Sequence, residues 1–423
     1  MAVPEAPAPG GGVPAVRPGS ARLVALDVIR VAVVVMVIVH HAAQPYGPTG
    51  GEWPVTDTAR SDWFRPFYSV NAAVGLGLLF LLAGYLCGPS HDRKGSRRFL
   101  RERWSRLGVP LVVFALVANL PLVLAGEQPR SAGEFVGFLY REAWSPLYLH
   151  LWFVGHLLLY SLLYVAWRRL AGRPPRSWPA PGHRTILAFA VGLIVVTWVI
   201  RWWYSVDEWV PLLWIVPVEP ARLPQYLGLF AVGAVAYRGD WLRTLPSGTG
   251  RWWLGVGLAA AAGMVAVQTL APAGWRYNEL ADGGAGWQSS VRSTLEGFIG
   301  VGLAVGVPVV VRDLVRRPLR LVSALAVTSY AAYILHVYLV VPIQYALTGP
   351  ALSPFVKFGI VAVLGVALSF GAAHLSRRVP GVRRLLGTAV TGRGASGQTS
   401  ACVARTPDSP GTGPAAAAPP SLP

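Results

Sequence analysis

The chain has 423 residues, of which 53% are hydrophobic and 13% charged, and its formal net charge is +18. A soluble domain carries about 25% charged residues, so the composition excludes an ordinary water-exposed globule, and the mean hydropathy of +0.47 points to lipid as the main solvent. A pI near 10.6 would suit a nucleic-acid binder, but the basic residues lie between apolar runs and not on one basic face, which argues against nucleic acid as a partner.

Residues 1–20 are rich in Ala, Pro and Gly and read as a disordered tail, as do residues 391–423. Between them, residues 21–390 read as one membrane domain. Ten stretches are apolar and long enough to approach the ~30 Å hydrocarbon core. They are Leu23–Ala43, Val70–Gly88, Leu107–Ala125, Leu149–Trp167, Thr185–Trp203, Leu223–Tyr237, Trp253–Pro272, Leu295–Val311, Leu319–Leu347 and Pro354–Leu375. The first stretch lacks a cleavage pattern and is expected to stay in the mature protein. The sixth is short, with Pro217 and Pro220 at its entrance.

The segments between stretches alternate in charge. Counting Arg201 and Arg320 with the segments they border, odd-numbered segments carry 27 Lys and Arg against 8 in even-numbered ones. Cytoplasmic loops hold the excess of basic residues. The expected fold is therefore all-α, a polytopic bundle of about ten transmembrane helices in the bacterial plasma membrane, with both termini cytoplasmic. The two cysteines, Cys87 and Cys402, offer neither a disulfide framework nor metal-ligand spacing, and no metal is expected.

The first stretch carries Asp27, Arg30, His40 and His41. An ionisable group at the bilayer centre costs about 2.5–3.5 kcal/mol and normally faces a bundle interior or wet cavity. Eleven residues return a helix to within about 20° of its starting face, so Arg30 and His41 share a stripe, about 16 Å apart along the axis. His40 lies about 80° off that stripe. Asp27, one turn before Arg30, is placed to pair with it.

These residues resemble the start of the acyltransferase-3 family of integral membrane O-acyltransferases: Leu26, Asp27, Arg30 and His41 form L-D-x-x-R followed by ten residues and His. Other matching segments follow in order. Gly84-Tyr85-Leu86 resembles the S-G-[FY]-L segment, with Ala83 in place of the serine. His150-Leu151-Trp152-Phe153 matches H-L-W-F, and Ser329-Tyr330, Tyr333 and His336 match S-Y-x-x-Y-x-x-H. Arg222–Tyr226, reading RLPQY, is closest to the branch of glucan-succinylating membrane proteins. The resemblance spans about residues 22–380.

The resemblance implies transfer of an acetyl or succinyl-type group from a cytoplasmic acyl-CoA to a hydroxyl of a glycan or glycosylated metabolite, with acyl-CoA as co-substrate and no bound cofactor. It makes His41 the general base and Arg30 the group that orients the donor or stabilises charge. Histidine suits the task because its ordinary pKa is near the working pH. His150 is the next catalytic candidate, on the same side as His41. In the basic segment Arg93–Arg106, which also suits a topogenic stop or anionic-lipid anchor, Arg98 and Arg101 are the candidate donor contacts. Trp152, Tyr330 and His336 are supporting candidates, His336 as a core histidine, and Glu219 is the external carboxylate placed to meet a polyol acceptor. His156 faces away from His150 and reads as structural. A ten-helix transporter or flippase is the competing class, though no internal repeat between the halves supports it.

Overall fold

The computed structural model describes residues 24–48, 53–121, 131, 147–172, 177–212 and 216–386. Both tails expected to be disordered lie outside the described residues, as do Glu52, Glu127, Glu134 and Glu142. Helices dominate: α1 (Val24–Ala43), α2 (Phe64–Arg103), α3 (Val109–Phe114), α4 (Trp152–Leu170), α5 (His183–Ile200), α6 (Leu223–Arg238), α7 (Ser247–Leu270), α8 (Trp287–Leu314), α9 (Arg320–Ala346) and α10 (Pro354–Ser376).

Eight helical runs among the described residues are long and apolar enough to cross a membrane. They differ from the ten expected stretches for two reasons. The second and third stretches fall in one helical run, Phe64–Asn119. The basic segment between them, expected as a loop, is largely helical: Glu102 lies 3.5 Å from Arg98 one turn back, which offsets the local repulsion, and it also pairs with Lys94, eight residues back. The run is broken at Gly95, whose φ of +71° is a left-handed conformation that suits glycine. The sixth stretch forms α6, whose 16 residues rise about 24 Å, short of the ~30 Å core.

The chain is not wholly α-helical. β1 (Val210–Leu212) and β2 (Val216–Val218) form an antiparallel pair with Val210 opposite Val218. This strand pair precedes the entrance of the sixth stretch. Pro211 and Pro217 face each other, positions that a helix interior would not tolerate.

Two close helix contacts set the architecture. Lipid offers no hydrophobic drive for helices to associate, so small residues that let backbones approach do much of the work. A Cβ on Gly84 of α2 would lie 2.0 Å from Phe230 O of α6, and one on Gly233 of α6 would lie 2.0 Å from Leu81 O of α2. The glycine of the Gly84-Tyr85-Leu86 segment therefore serves packing. α7 and α8 meet likewise, since a Cβ on Gly302 would lie 2.7 Å from Gly257 Cα.

α1 sits centrally, packed on α9, α10, α2 and α8. It buries Ile29, Val33, Val34, Val37 and Ile38 in the main core with Phe80, Phe153, Tyr333 and Ile334. Pro308 and Pro342 lie within α8 and α9, as membrane helices allow.

Candidate active site

The end of α1 brings His41 against the middle of α9. His41 Nδ1 lies 2.6 Å from His336 Nε2, with the two rings parallel to within 1°. His336 is fully buried, and its Nδ1 bonds the carbonyl oxygen of Tyr333 one turn back. A carbonyl only accepts, so Nδ1 of His336 carries the proton and, in the neutral ring, its Nε2 presents a lone pair. His41 Nδ1–H must then donate to it, which leaves the lone pair of His41 on Nε2. That nitrogen has no hydrogen-bond partner among the described residues. The order Tyr333 O, His336, His41 thus fixes the tautomer of the candidate base, as a second group does for histidines in catalytic dyads.

His150 enters from the start of α4. Its ring stands edge-on to His336 at 5.0 Å. Its Nε2–H donates to Ile334 O at 2.9 Å, and its buried Nδ1 has no partner among the described residues. The Tyr333 hydroxyl donates to His150 O, so the helix entrance and α9 are pinned together. His150 therefore reaches His41 through His336.

Two residues that sequence reasoning missed hold His41 from the solvent end. Trp53 stacks on its ring at 4.8 Å, and Trp53 Nε1 donates to Gln344 Oε1 at 2.8 Å. Gln344 Nε2 donates to His41 O at 2.8 Å. The loop bearing Trp53 is anchored by a buried ion pair: Lys357 Nζ of α10 lies 2.8 and 3.0 Å from the two Asp57 oxygens. Lys357 is evident in the sequence as a cation within an apolar stretch; its partner is 300 residues away.

A second buried set of charges sits at the same end of the bundle. Arg222 Nε lies 3.2 Å from Glu219 Oε1, and its Nη2 lies 3.3 Å from Asp207 Oδ1. Arg201 bonds Ser293 Oγ at 3.0 Å and pairs with Glu296. Arg292 lies 2.9 Å from Glu296 and also pairs with Asp282. His40 is within electrostatic range of Asp207 and Arg222, so this network borders the histidines. Burial, reinforced by the Asp207 carboxylate against the opposing pull of Arg222, pushes the Glu219 carboxyl up to about 8. Against the cost of burial, the Arg222 guanidinium holds the Asp207 carboxyl below its usual value. The Arg292/Glu296 spacing of four residues was the available sequence signal.

The remaining candidates lie elsewhere. Arg30 pairs with Asp27 at 3.7 Å, and Val34 and Val37 are buried on the face between Arg30 and His41. Arg98 lies beside Glu102, and Arg101 is exposed in the last turn of α2. The Tyr330 hydroxyl donates to Arg106 O at 2.9 Å. Trp152 stacks on Tyr226 at 5.8 Å and meets Trp209 edge-on. His156 is buried, bonded to Pro217 O at 2.9 Å, away from the histidine cluster. No group of metal-ligating side chains occurs among the described residues.

A multi-helix membrane protein with three histidines gathered inside the bundle is the class that fold and site define. A family model for an acyltransferase domain, acyltransferase-3, matches residues 23–374. The chain belongs to that family and is, in general terms, a membrane acyltransferase. No curated protein and no solved structure matches the chain.

Proposed function

We propose that the protein transfers an acetyl or succinyl-type group from a cytoplasmic acyl-CoA to a hydroxyl of a glycan or glycosylated metabolite, across a bacterial plasma membrane. The topology that goes with this reading has ten spans and cytoplasmic termini: the run Phe64–Asn119 turns back at Gly95, and α6 crosses as a short span. The branch reading, toward glucan-succinylating proteins, rests on the RLPQY segment at Arg222–Tyr226.

The observation that carries the chemistry is the Tyr333 O–His336–His41 line, which presents His41 Nε2 as a lone pair. In direct transfer, that nitrogen takes the acceptor's hydroxyl proton as the oxygen attacks the thioester carbonyl carbon. The C–S bond then breaks, and His41 returns the proton to the departing thiolate. His150, on the far side of His336, positions the line through its edge-on contact. Arg30 is about 16 Å along the helix axis from His41. It therefore serves the donor's charged portion, not the carbonyl. With Val34 and Val37 packed between, a donor arm extending from one to the other has to part α1 from its neighbours. Arg98 and Arg101, exposed on the opposite end, are placed to gather donor phosphates before entry. Asp207, Glu219 and Arg222, beside His40, supply hydrogen-bonding groups for a polyol acceptor.

The test is release of free CoA thiol by the purified protein in lipid nanodiscs, with acetyl-CoA or succinyl-CoA and candidate glycans. Acceptor-dependent thiol release that His41→Ala abolishes supports the reading. Full activity of His41→Ala removes the proposed base. Substrate movement across vesicles in the absence of any donor would favour a transporter.

A further inference from the structure

A groove of about 230 Å³ runs along the outer surface between α4 and α6, lined by Tyr160, Leu163, Trp167, Leu227, Phe230 and Ala234 among others. Its lining is apolar, and Leu163, Trp167 and Leu227 are 47%, 42% and 39% exposed. The acyl-transfer reading makes no use of it. One helical turn beyond Tyr164 and Ala234, on the same two helices, stand Arg168 and Arg238. Both converge on one carboxylate: Arg168 Nη1 lies 2.9 Å from Asp92 Oδ1, and Arg238 Nη2 lies 2.6 Å from Asp92 Oδ2. One aspartate between two guanidiniums leaves an excess positive charge at the end of the groove. Arg168 also donates to Tyr164 OH at 3.0 Å. Arg238 Nε is buried and has no acceptor among the described residues.

An apolar trough ending in two arginines with an unused donor is complementary to a molecule with a hydrocarbon tail and an anionic head. The trough opens toward the bilayer, and Trp167 stands near its charged end, where an indole suits the membrane boundary. We propose that this groove is a binding site for a membrane lipid with an anionic phosphate headgroup, its acyl chain lying on Leu163, Leu227 and Phe230 and its phosphate meeting Arg168 and Arg238. Arginine matches phosphate geometry through paired donors. The exposed charges of Arg98 and Arg101 lack such a trough and carry no equivalent site.

The experiment is native mass spectrometry of the purified full-length protein titrated with phosphatidylglycerol and with phosphatidylcholine of the same acyl chains, with glycerol 3-phosphate as a soluble competitor. The native chain should retain phosphatidylglycerol over phosphatidylcholine by about fivefold for each arginine engaged. Arg238→Gln should reduce that preference by a similar factor. Ala231 lines the groove and is exposed, so Ala231→Trp fills the trough without touching the ion cluster; it should weaken retention of both lipids. Equal retention of the two lipids by the native chain would overturn the proposal. So would unchanged retention after Ala231→Trp, or a preference undiminished by Arg238→Gln. Competition by glycerol 3-phosphate as strong as that by the lipid would reduce the site to a phosphate contact and overturn the lipid assignment.

Discussion

Replacing Lys357 by Met removes the cation from a pair in which Lys357 is 1% and Asp57 2% exposed. Among the described residues, the variant leaves Asp57 the bond from Ala59 N–H at 2.7 Å, in a buried site. Breaking one side of a buried pair typically costs about 3–5 kcal/mol. Lys357→Met should therefore be destabilised by about 3–5 kcal/mol at pH 7. Asp57→Asn/Lys357→Met carries no buried charge and should recover most of the loss. Denaturant unfolding of the purified protein in detergent at pH 7 measures the cycle. Native-like stability of Lys357→Met at pH 7 would refute the argument, and so would a double variant no better than the single one. The loop anchored here also carries Trp53 onto His41, so loss of activity should accompany the loss of stability.

Removing the base by His41→Ala should lower acyl transfer by about 10²–10⁴-fold, read as thiol release with substrate binding checked separately. His336→Ala should lower turnover more than apparent substrate affinity, because it frees the His41 tautomer and leaves the binding groups in place; an affinity-only effect would contradict the assigned line. Gly233→Val places a branched side chain where even a single Cβ would come within 2.0 Å of Leu81 O; overpacking of this kind costs about 1–3 kcal/mol or more, visible as a lower melting temperature, whereas a native melting temperature would show that α2 and α6 are not in contact. Glu219 holds its proton in the folded protein up to about pH 8, while an unfolded glutamate loses it near 4.3. Over that window the folded state binds more protons, so the Glu219 contribution favours folding below the unfolded value and is lost as pH rises toward 8. Glu219→Gln should flatten the fall in melting temperature across that range; an unchanged slope would assign it to other groups.

The stripe of α1 was legible because one helix needs only its own periodicity to align Arg30 with His41. The apolar stretches were legible for the same reason: length and hydropathy are local. What His41 touches was not. His336 lies 295 residues away from it, and no periodic rule links α1 to α9. The segment match drew attention to His336, but as a core histidine, not as the neighbour that sets a tautomer. The basic segment at the end of α2 read as a loop because charge was weighed as topology; the contact of Arg98 with Glu102, four residues on, is also local, and was available to a closer reading. The hairpin at Val210–Val218 was hidden because short apolar runs with proline do not distinguish strand from helix entrance. Gly84 stood out as part of a segment, and only its distance to Phe230 O shows that its purpose is proximity of two backbones.

The line of bonds through His336 ends on a main-chain oxygen, which has no hydrogen to pass on and nowhere to send one. A proton arriving at His41 therefore finds a cul-de-sac behind it and has to depart by the door through which it came. On the proposed chemistry, the same nitrogen atom opens the reaction and closes it, with no exchange through the protein interior. The sulfur that leaves inherits the hydrogen that the incoming oxygen gave up.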